Sequence, residues 1–197
     1  MLKRFFFFLT TLWVFCAGLP LLVSCSSDDD TPKEEEHFAE YHSSTCSFTT
    51  TASADLLKMA EMSMEVKTPS GTKTFALKSL GRVKFKETTT ALPVAYEVTL
   101  RLARKPDFTP ETGKSYNLKA TFEYAINLEG KDGKPFDGVS DVSSSTDIIH
   151  MEGLDAAYID QFFDEYLLGG DKVFPMTLSF EVYREGNHYV IKHPMER

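Results

Sequence analysis

Cys25 is the residue best placed for covalent chemistry. It closes an apolar run and is followed by Ser26, Ser27, Asp28, Asp29 and Asp30. A thiolate attacks well even when only partly ionised, so a cysteine at such a junction can accept an alkyl or acyl group. The three aspartates could draw a cation. Neighbouring acids on a polar tether have no fixed geometry, however, and a usable metal site needs ligands held in place. Asp132, Asp137 and Asp141 are a second acidic set, in the turn-rich stretch Glu129 to Asp147. A calcium loop needs alternating oxygen ligands, a central glycine and a distal glutamate. Lys131 and Lys134 interrupt the series and the glutamate is missing, so the stretch reads as a surface loop, where a binding role would sit most naturally. Asp160 and Asp164, and Gln161 and Glu165, stand one helical turn apart. Such pairs do acid/base work only when one member is buried and its pKa raised. Here they fall opposite an aromatic stripe, on the face expected to be solvated.

Cys46 shares a strand face with Phe48, which predicts a buried structural thiol rather than a nucleophile. His188 and His193 are five apart and point to opposite sides of an extended strand; His37, His42 and His150 are scattered. None of this has zinc spacing. No nucleophile elbow, phosphate loop or dinucleotide fingerprint occurs. No catalytic residue, metal or cofactor is expected.

The elements that position Cys25 come first in the chain. Lys3 and Arg4 precede an almost wholly apolar run from Phe5 to Val23, the order of an export signal. The run is also near the ~20 residues that span a bilayer. Positive charge before it and acid after it place the start inside and the rest outside. Leu22-Val23-Ser24-Cys25 resembles the bacterial lipobox: a branched apolar residue, two smaller ones and a cysteine. The resemblance implies a diacylglycerol on the Cys25 sulfur, cleavage before Cys25, and acyl chains such as palmitate holding the mature chain at the membrane. Cysteine, serines and then acids also resemble the surface-export stretch of Bacteroidota-type lipoproteins, with Ser26, Ser27, Asp28, Asp29 and Asp30 as its candidates. Residues 1–24 are then a signal peptide, 25–43 an acidic tether and 44–197 one β-rich domain.

Removing Lys3 and Arg4 with the leader leaves 19 basic against 29 acidic residues, a net charge of −10 over 173 residues. That length suits one domain with a real core. The balance argues against nucleic acid, which asks for a basic patch. It also argues against peripheral adsorption to anionic lipid, leaving the N-terminal acyl anchor as the membrane contact. With Cys16 lost and Cys25 lipidated, Cys46 has no disulfide partner in the mature chain.

The rest of the chain alternates with period two. Ala60, Met62, Met64 and Val66 face one way and Glu61, Ser63 and Glu65 the other. Pro69-Ser70-Gly71 turns the chain towards Phe75 and Leu77. Val83 and Phe85 alternate with Arg82, Lys84 and Lys86, a wet cationic face. Val94 to Leu102 and Tyr116 to Leu128 are strands, the second long enough to expect a bulge. Asp155 to Leu168 reads as a helix with Asp155 as N-cap and an apolar stripe of Tyr158, Ile159, Phe162, Phe163, Tyr166 and Leu167. Met176 to Val182, a turn at Glu185-Gly186-Asn187, and Tyr189 to Ile191 form a closing hairpin. The pattern predicts a mainly β fold: an antiparallel β-sandwich, immunoglobulin- or transthyretin-like, with one helix in the C-terminal half. A lipocalin-like barrel is the alternative. The expected role is a non-enzymatic envelope lipoprotein on the outer membrane or cell surface, with a protein or glycan as ligand. A fimbrial or accessory subunit, a small-molecule carrier and a hydrolase are the other readings.

Overall fold

The computed structural model describes residues 39–78, 81–132, 136, 139–168 and 173–194. Among them nine strands form two antiparallel sheets. In chain order they are β1 (Tyr41–Ala52), β2 (Ala60–Thr68), β3 (Gly71–Ala76), β4 (Arg82–Thr89), β5 (Val94–Arg104), β6 (Ser115–Gly130), β7 (Asp141–Asp155), β8 (Met176–Glu185) and β9 (His188–Lys192). One sheet has the order β4-β1-β6-β7 and the other β3-β2-β5-β8-β9. Among the described residues each sheet ends in two open edges and the two sheets do not close on each other, a sandwich arrangement; the barrel alternative is corrected by this open topology.

Alternation decides which residues fill the space between the sheets. On β1, Cys46 and Phe48 are fully buried, as their shared face requires. Phe48 sits at the centre, 5.9 Å from the Phe85 ring, 5.8 Å from Tyr96 and 4.9 Å from Phe180. Met62, Met64 and Val66 of β2, and Val98 and Leu100 of β5, line the same layer. Burying such side chains contributes roughly 1.5–3 kcal/mol each.

Several details differ from the sequence reading. Asp141 to Asp147 is not part of a loop but the first half of β7, paired residue for residue with Asn127 to Thr121 of β6. Its inward positions are Val142, Ser144 and Thr146, too short and polar to read as a strand. The bulge expected in β6 falls in its partners: β7 carries an extra residue next to Ile149 and again between Met151 and Leu154, and β1 one at His42. A six-residue helix α1 (Ala54–Met59) follows β1, capped by the Ser53 hydroxyl, which accepts the Leu56 N–H. It buries Leu56 and Met59 but is too short to show a helical period.

The later helix begins as a 3₁₀ turn (Ala156–Tyr158), continues as α2 (Ile159–Phe163) and ends in a π turn (Asp164–Leu168). Asp155 caps it, accepting the Ala157 N–H at 2.9 Å. The initial 3₁₀ turn rotates Tyr158 out of the predicted stripe to 57% exposure, whereas Ile159, Phe162 and Phe163 are buried. Gly81 joins the two layers with φ +64; a Cβ there would lie 2.4 Å from the Ala52 carbonyl oxygen, so only glycine fits.

Candidate functional site

Cys25, Ser26, Ser27, Asp28, Asp29 and Asp30 lie outside the described residues, as does Asp137 of the acidic set. The structure bears on the domain that the tether would carry.

Between the sheets the reactive groups are shielded. Burial pushes the Cys46 thiol up to about 12, against an ordinary value near 9, so it stays protonated. Burial, then the proximity of Cys46, also raises the Tyr96 phenol. Among the described residues the Tyr96 hydroxyl meets no partner in good hydrogen-bond geometry; Cys46 and Glu87 are its polar neighbours. Glu87, on the inner side of β4 opposite Cys46, is held at the rim, where it accepts from Ser70 at 3.2 Å and lies 3.9 Å from Lys73 Nζ. This is a structural thiol and phenol with a carboxylate at the margin.

The outward face of the four-stranded sheet is a carpet of short hydroxyls edged by charge. Alternation brings Thr45, Ser47, Thr49 and Thr51 of β1 to it, beside Arg82, Lys84 and Lys86 of β4. On the far side, β7 contributes Asp141, Ser143, Ser145 and Asp147. Hydroxyls bond across the strands, Thr45 to Thr88 at 2.8 Å and Thr51 to Thr121. Asp147 receives His150 Nδ1 at 3.1 Å and Lys119 Nζ at 3.2 Å, and these two hold its carboxyl below its usual range. Asp147, and then Glu152 at 3.4 Å, raise His150 in turn.

Open hollows lie elsewhere as well. One, of about 580 Å³, sits on the outer face of β2, where Ser63, Ala76 and Ala103 are short; Leu57 and Leu77 floor it and Lys78, Arg101 and Glu61 rim it. Another, of about 520 Å³, lies at one end of the sandwich beside Tyr41, Arg184 and Tyr189. There Tyr41 and Tyr189 stack at 5.9 Å and the Arg184 guanidinium lies 5.9 Å over the Tyr189 ring.

The helix carboxylates are exposed, as their position opposite the stripe predicts; Asp160 pairs with Arg104 at 2.6 Å. His193 meets the Tyr124 hydroxyl at 2.9 Å, on the inner side of the sandwich, whereas His188 faces out. Among the described residues no three His, Cys, Asp or Glu side chains are grouped to hold a metal ion. Among them, too, no helix is long and apolar enough to cross a membrane. The face that the sequence reading missed belongs to β7, whose Ser run between two aspartates was its only sequence signal. No protein family, curated protein or solved structure matches the chain.

Proposed function

We propose that the chain is a lipid-anchored protein of the bacterial cell envelope, held at the outer membrane or cell surface through Cys25, whose sandwich serves as a non-enzymatic binding or assembly module. The observation that carries this reading is the junction Leu22-Val23-Ser24-Cys25 after a positively headed apolar run. The acidic stretch after Cys25 would hold the domain clear of an anionic surface, since like charges repel within a Debye length. In the domain, the broad hydroxyl face with cations on one border and acids on the other supports contact with a protein partner. Rings are mostly packed between the sheets rather than displayed on a flat face, which favours a protein over a stacked sugar.

The test is Cys25→Ala in the full chain, expressed with labelled palmitate. The reading predicts that label is lost and that the chain either leaves the membrane or accumulates as uncleaved precursor held there by its apolar run. Label retained on the variant would overturn it.

A further inference from the structure

Both sheets present edges that complement each other between copies. In the four-stranded sheet the register runs in straight rows: Arg82, Thr51, Thr121 and Asp147 share one, and Thr88, Thr45, Asn127 and Asp141 another. All neighbours are antiparallel, so after four strands β4 and β7 run in opposite directions. A second copy displaced along the sheet, with its twist, would therefore bring its β4 antiparallel to β7 with the same face outward. Hydrogen-bonded and open pairs alternate from strand to strand, so four strands also return the free N–H and C=O groups to phase. At zero shift Arg82 falls opposite Asp147, while Lys84 and Lys86 fall opposite Ser145 and Ser143.

The five-stranded sheet repeats over the same four columns, although it has one strand more. β9 pairs with β8 only between Glu181 and Glu185. From Met176 to Ser179, β8 has β5 on one side and, among the described residues, no strand on the other. On the opposite edge, β3 pairs with β2 at the level of Glu97 to Arg101 of β5, which is the level of that open stretch of β8. In the displaced copy β3 therefore enters the column that β9 occupies higher up, past His193 and Pro194, where among the described residues β8 has no paired strand. It runs antiparallel to β8, with Thr74 opposite Thr177 and Phe75 beside Met176. Phe75 and Met176 are each only partly buried in the single chain, as expected of side chains awaiting a cover.

Charge selects this pairing over its rivals. Two β4 edges would set Arg82, Lys84 and Lys86 against one another in every register that keeps the same face outward, and two β7 edges centred on Ser144 would set Asp141 against Asp147; like charges directly opposite destabilise a pair. We infer that the chain self-associates head to tail, β4 and β3 of one copy adding to β7 and β8 of the next, so that both layers continue through the contact. Such a heterologous contact does not close on itself and builds an open strand of copies. This gives the proposed assembly module its partner, and rests on that reading only for its surface setting.

The test is cysteine pairing in cells expressing the full chain. Lys84→Cys with Ser145→Cys joins the first seam, and Thr74→Cys with Thr177→Cys the second. After mild oxidation each double variant should give a ladder of covalent multimers, and each single variant should give no covalent multimer. Independently, Arg82→Glu should abolish multimers of the otherwise unaltered chain, and adding Asp147→Arg should restore them. Absence of a ladder in protease-resistant double variants, or dimers from a single variant, would overturn the inference. Lipid labelling at Cys25 is unaffected by either result, so failure of the anchor and failure of the seam are separately visible.

Discussion

β9 and the first half of β7 lie towards the same side of the sandwich and differ in what covers them. β9 packs across β6 and β1: its Tyr189 stacks on Tyr41, and His193 just beyond it reaches Tyr124. Its inward residues, Tyr189 and Ile191, are buried. β7 runs from Asp141 to Asp147 as a shelf whose inward Val142 and Ser144 are half-buried and whose Thr146 is exposed. Both strands have the same backbone pairing, yet only the covered one has been required to be apolar. Coverage sets side-chain chemistry, and a strand left uncovered keeps the short hydroxyls that a partner's edge can approach closely.

The comparison breaks first on stability. Ile191→Ala removes buried methylenes under a cover and should cost about 2 to 5 kcal/mol in denaturant unfolding. Val142→Ala, on the shelf, should cost less than about 1 kcal/mol. Equal losses at the two sites would mean that the shelf is covered in the single chain.

Thiol chemistry sharpens the same contrast with a smaller effect on the fold. Cys46 keeps its proton in the folded state up to about 12, whereas an unfolded cysteine loses it near 9. Between those values the unfolded state binds fewer protons, so this group's stabilising contribution is full below about pH 9 and is lost as pH rises towards 12. Alkylation of native Cys46 at pH 8 should accordingly be slow and set by unfolding. A cysteine placed at Thr146, which is exposed, should react near the rate of a free thiol in dilute protein. Rapid native alkylation of Cys46 would contradict its burial.

The same contrast explains what could be read from the sequence. β2, β5, β6 and the β8–β9 hairpin announce themselves because one face of each is buried, which forces alternation. Cys46 beside Phe48 and the solvated helix carboxylates follow from the same rule, and the Asp155 cap from the unpaired N–H groups at a helix start. The first half of β7 reads as loop because no cover imposes apolar residues on it. α1 has too few residues for a period, and the 3₁₀ start that exposes Tyr158 is a change of turn, not of composition. The match between Arg82 and Asp147 was hidden for another reason: it needs three strand pairings laid in register, and no spacing along one chain encodes that.

Hydrogen exchange on the full chain, read by peptide at two protein concentrations, tests the central claim most directly. Amides of residues 141–147 and 176–179 that point away from β6 and β5 should exchange rapidly in dilute protein and become protected on concentration, while the amides of 188–192 that bond β8 stay protected throughout. Protection of 141–147 that is already complete in dilute protein, or exchange there that ignores concentration, would contradict an edge built to receive a second copy.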